Sequence, residues 1–106
     1  IAPHELEGDV WLLLEFELFL HAARDPVIAQ ALTERYAEAR ASLAVPLVAW
    51  AKAERLPVPR DPERTAGLVI GLLLGMAMQH RVDPTAFSPD DIVSGLRSLI
   101  QGGAAA

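Results

Sequence analysis

With no cysteine among its 106 residues, the chain has no thiolate, disulfide or cysteine-zinc chemistry, so any reaction must come from its histidines, serines and acids. His4, His21 and His80 fall on three separate segments. Glu17 and His21 stand one helical turn apart, as two metal ligands on one face would. A protein zinc site takes three or four ligands, however, and two alone read as a surface pair. Ser42, Ser88, Ser94 and Ser98 have no histidine and acid set beside them by any recognisable pattern, and Ser88 has a local use as a helix cap. We therefore expect no catalytic residue, no metal site and no cofactor.

Glu15 has a different character. On a helix it projects into the arc of Trp11, Leu12, Leu18, Phe19 and Ala22, where a carboxylate must be paired, hydrated or protonated. The aromatic and sulfur residues Trp11, Phe16, Phe19, Tyr36, Trp50, Met76 and Met78 suit an ordinary core. With Glu15 they also suit a largely apolar pocket carrying a few polar orienting groups. Trp11, Glu15, Phe16, Phe19, Tyr36, Trp50 and Met76 are the candidate ligand-binding set, for a small hydrophobic or cationic compound. Two readings of Glu15 stand open. In one it is neutralised by an arginine, with Arg40 at the edge of the next helix's apolar stripe as candidate; in the other it anchors the ligand.

Composition narrows the class of protein. At 52% hydrophobic the chain is not disordered, and its length predicts one domain with enough buried surface for one core. A net charge of -5 makes it a poor partner for phosphate backbones, which reward clustered Lys and Arg. Nothing at the start resembles a signal peptide, and the first residue is Ile1 rather than methionine, so we expect sequence upstream.

Four helices must position these residues. Residues 1–8 read as a residual linker, residues 9–101 as the folded domain, and residues 102–106 as a flexible tail, with Gly102-Gly103 ending the last helix. Asp9 is the expected cap of a first helix running to about Arg24. Asp25-Pro26 starts a second, long helix reaching about Arg55. Its apolar stripe Ile28, Leu32, Tyr36, Ala39, Leu43, Leu47 and Trp50 passes through Pro46, where a kink is expected. Asp61-Pro62 opens a third helix ending near Arg81 or Val82, and Ser88-Pro89-Asp90-Asp91 forms a capping box for the fourth.

The third helix contains Ala66 to Met78, an apolar run of thirteen residues. That is short of the ~20 a bilayer span needs, so no membrane partner is expected. A helix apolar all round must still be covered on all sides. Gly67, Gly71 and Gly75 share one stripe with Leu74 and Met78, opposite Val69, Leu72, Leu73 and Met76. Each interior glycine costs ~1 kcal/mol relative to alanine, which close approach of another helix would offset. That helix belongs either to a second copy of the chain or to the same subunit. In the dimer reading the interface is Gly67, Gly71, Leu74, Gly75, Met78, Leu96 and Leu99.

Several stretches together resemble the C-terminal domain of the TetR family of bacterial transcriptional regulators. They are Trp11-Leu-Leu-Leu-Glu-Phe16 leading into Ala22-Ala23-Arg24-Asp25-Pro26, Thr33-Glu-Arg-Tyr36, Leu56-Pro57 before Asp61-Pro62-Glu63, Leu73-Leu-Gly75-Met-Ala-Met-Gln79, and Val82-Asp-Pro-Thr-Ala-Phe-Ser-Pro89. Leu74 departs from the pattern, which often has an acid before the glycine matching Gly75. The resemblance implies an all-α bundle of about four helices, the last two pairing with their copies as a dimeric four-helix bundle. It also implies a small-molecule pocket between the first long helices and the central one, and a cytoplasmic repressor whose DNA binding is relieved when that pocket fills. DNA would be touched only by an N-terminal helix-turn-helix, and no such motif lies in this sequence. The competing reading is a helical dimerisation module without ligand or catalysis.

Overall fold

Aspartate-proline pairs set two helix starts by the same local chemistry. In the computed structural model, which describes the backbone of residues 3–105 and the side chains of residues 10–102, the Asp25 carboxylate accepts from the Val27 N–H at 2.9 Å. Asp61 accepts from the Arg64 N–H at 3.1 Å. Each proline then occupies the first helical position, where its missing N–H costs nothing. The architecture is all-α, with α1 (Pro3–Ala22), α2 (Pro26–Ala53), α3 (Pro62–Val82) and α4 (Pro89–Ala105), and no strand among the described residues. The Ser88 box closes in both directions: the Ser88 N–H donates to Asp91 at 2.8 Å, and the Asp91 N–H to the Ser88 hydroxyl at 3.4 Å.

Three boundaries differ from expectation. Helix α1 starts at Pro3 instead of following Asp9, so the cap and most of the expected linker are helical, with Ile1 and Ala2 outside the described residues. Pro3 is itself a good first-turn residue, and Glu5-Leu6-Glu7 are good helix formers. At the other end α4 passes through Gly102-Gly103 to Ala105, because glycine only weakens a helix and alanines follow it. The expected frayed tail falls partly on Ala106, outside the described residues. Helix α2 stops at Ala53 in a Schellman turn: Leu56 N–H to Ala51 O at 2.8 Å, Arg55 N–H to Lys52 O at 3.2 Å, and Arg55 left-handed at φ 56. Pro46 lies exposed inside α2 without ending it.

Length alone predicts one core, whereas the contacts group into two compact units, Ile1–Ala37 and Glu38–Ala106, divided within α2. A 28-residue helix is about 42 Å long, more than one small core spans. In the first unit α1 and the start of α2 bury Leu12, Glu15 and Leu32. Along α1, Val10, Trp11, Leu13, Leu14 and Leu20 are exposed.

The second unit has its core at Leu47, Ala51, Ala66, Val69 and Ile100, with Leu43, Trp50, Leu56, Leu96 and Leu99 packed against it. Arg97 pairs with Glu54 at 2.7 Å and lies over the Trp50 ring. Helix α3 packs with α4, and a Cβ at Gly95 would sit 3.4 Å from Leu72 Cδ2. The apolar run of α3 is embedded in 21 residues, long and apolar enough by length and composition to cross a membrane, a match the thirteen-residue run did not have. Its Thr65, Ala66, Val69 and Met76 are buried. Past its end, the Thr85 hydroxyl and then the Thr85 N–H donate to Asp83 at 2.6 and 3.0 Å and hold that carboxyl below its usual range.

Candidate functional site

In the first unit the Glu15 carboxylate is 3% exposed and both of its oxygens are used. Arg35 Nη2 donates to Oε1, and the Tyr36 hydroxyl donates to Oε2 at 2.6 Å. The acid therefore has an arginine, as the pairing reading expects, but the arginine is Arg35 and not Arg40. Register explains the difference. Around the short turn at Arg24 and Asp25, a residue ten before the turn meets one about ten after it, and Arg40 lies about 7.5 Å further along the helix axis. That count across the turn was the available signal; the stripe pattern placed Arg35 off the apolar face and hid it.

Tyr36 joins the two charges. Its ring lies 5.5 Å from that of Phe19, tilted 31°, and the Arg35 guanidinium carbon is 5.6 Å from its centroid. Burial, then the hydrogen bond to Glu15 and the charge of that carboxylate, raise the Tyr36 pKa above 10.0; Arg35 opposes them. The structure thus brings Glu15, Phe19 and Tyr36 of the candidate ligand set together with Arg35. Trp11, 57% exposed, and half-buried Phe16 lie on the same α1. Trp50 and Met76 belong to the second unit, where Trp50 is used by the core and Arg97, and Met76 is buried. Glu17 and His21 are both exposed, lining an open cup of about 510 Å³ with Leu20, Ala23 and Arg24.

The glycine stripe divides. A Cβ at Gly67 would lie 2.9 Å from Arg40 Cδ, so this glycine accommodates the arginine stem within its own chain. At Gly71 and Gly75 an added Cβ meets nothing within 4 Å among the described residues. Both line an open groove of about 580 Å³ that runs on to Phe87, Asp91 and Gly95. Leu68, 56% exposed, and Met78, 50% exposed, flank them, while Leu74 is half-buried. Leu96 and Leu99 pack against the core of their own unit.

Four helices in this order, two of them opened by Asp-Pro caps, and an apolar outer side on α3 are consistent with a regulatory C-terminal domain of the TetR type. A family model described as "BetI-type transcriptional repressor, C-terminal" matches residues 1–104, and the chain belongs to that family. No curated protein and no solved structure matches it. The domain is accordingly that of a transcriptional regulator.

Proposed function

We propose that this domain joins two copies of a cytoplasmic repressor through α3 and α4 and binds a small hydrophobic or cationic effector. Binding relieves the grip on DNA of a helix-turn-helix elsewhere in the polypeptide. The observation that carries the reading is the two-sidedness of α3: Thr65, Ala66, Val69 and Met76 are buried, while Leu68, Gly71, Gly75 and Met78 form an apolar strip left open. The interface is Gly71, Gly75, Met78 and Leu74 with the outer edges of Leu96 and Leu99; Gly67 contributes by letting α3 lie close to Arg40. Effector contacts come from Trp11, Glu15, Phe16, Phe19 and Tyr36 of the first unit; Trp50 and Met76 are taken up in the packing of the second. The domain performs no catalysis and does not insert in a membrane.

Equilibrium sedimentation tests the dimer: a chain that stays monomeric at high micromolar concentration removes the proposed interface. A thermal-shift screen with lipophilic and cationic compounds, followed by DNA-release measurements on the natural full-length regulator, tests the effector. The reading as a dimerisation module without ligand has one observation in its favour, since Glu15 is already satisfied by Arg35 and Tyr36. It prevails if no compound that stabilises the domain releases DNA.

A further inference from the structure

We infer that two copies of α3 lie antiparallel across the two-fold axis, with Glu63 of each copy paired to Arg81 of the second. This rests on the dimer reading and deepens it, fixing the direction and register in which the open strip is covered. Helix α3 carries its charges at its two ends: Glu63 stands in the first turn, His80 and Arg81 in the last. From Glu63 to Arg81 the helix makes about five full turns, so the two side chains leave α3 along one line, about 27 Å apart. Gly67, Ile70, Leu74 and Met78 lie close to that line between them, and Gly71 and Gly75 run beside it. An acid, an apolar stretch and a base in this order are their own complement when the helix is reversed.

Neither charge is used within the chain. Both residues are exposed, and the ion pairs among the described residues are Arg35 with Glu15 and Arg97 with Glu54. Asp61 caps α3, so Glu63 is not needed to close the helix start. A two-fold axis perpendicular to α3 turns the helix end for end and keeps each flank of the contact on its own side. The point midway between Glu63 and Arg81 is Leu72, and that between Gly71 and Gly75 is Leu73, so one axis position serves both the charges and the open glycines. A parallel arrangement would set Glu63 against Glu63 and Arg81 against Arg81, which like-charge repulsion disfavours.

The experiment is charge reversal, read by equilibrium sedimentation in low-salt buffer, with circular dichroism following the helices. Glu63→Arg and Arg81→Glu should each raise the dimer dissociation constant by about 10-fold or more, because two contacts per dimer turn repulsive together. The double variant E63R/R81E restores both contacts with the charges exchanged, and its constant should return to within about 3-fold of wild type. Within one chain the two residues stand far beyond the Debye length of about 10 Å, so recovery in the double variant can arise only between copies. Where a reversed charge at a helix end lowers helicity, Glu63→Gln and Arg81→Gln take its place; each should weaken the dimer in low salt and match wild type in high salt. Unchanged constants in the single variants, or losses that add in the double variant, overturn the pairing. A wild-type chain that stays monomeric removes the dimer reading and this pairing with it. A dimer weakened by Gly71→Leu but indifferent to both reversals keeps the dimer reading and removes only the antiparallel register.

Discussion

Replacing Gly71 by leucine separates the folding of the chain from the pairing of two chains. Within one chain an added Cβ at Gly71 has no neighbour inside 4 Å among the described residues, so the substitution strains nothing there. It also removes a helix-interior glycine, worth ~1 kcal/mol toward α3 formation. The proposed partner helix must approach this same point closely, and the four added heavy atoms force it back. Overpacking of this kind costs about 1 to 3 kcal/mol, or about 5- to 150-fold in the dimer dissociation constant. Equilibrium sedimentation over a concentration series measures that shift, and helical circular dichroism confirms that the subunit is folded. A Gly71→Leu chain with an unchanged dimer constant would refute the placement of this glycine in the proposed interface. Loss of helicity in dilute monomer would refute the claim that the site is open.

Other outcomes follow from the local geometry. Tyr36 is the only tyrosine, so tyrosinate absorbance reports it alone; its midpoint should lie above 10.0, and Glu15→Gln should bring it down by removing a charge that opposes ionisation. Because that folded-state pKa is raised, the associated stability is complete below pH 10.0 and is lost as pH rises through the folded value; melting temperature across alkaline pH reads the same sign. Arg55→Gly should stabilise the domain by about 1 kcal/mol, since φ 56 costs a side chain and suits glycine, and chemical denaturation would show an unchanged or lowered midpoint if the Schellman turn is not as described. Pro46→Ala restores a backbone donor in α2 and should raise helical circular dichroism slightly; no change would mean that the Ser42 carbonyl already has another partner.

What the amino-acid sequence by itself determined is the set of events that close within one helical turn. Asp25-Pro26, Asp61-Pro62 and Ser88 to Asp91 start their helices where the letters place them, because a cap needs only a side-chain oxygen and an N–H two or three residues on. The all-α class and the two-sided α3 were legible for the same reason, the period of apolar residues being a local property. Weak local signals read less well, and Asp9 and Gly102-Gly103 were overruled by the helix formers around them. Tertiary structure alone decided which arginine meets Glu15, which glycine hosts the Arg40 stem and which two are left open, and where the chain divides into units. Each of these depends on register between residues roughly twenty or more apart, where one helical turn of offset, about 5.4 Å, exchanges one partner for another and no neighbouring residue records the choice.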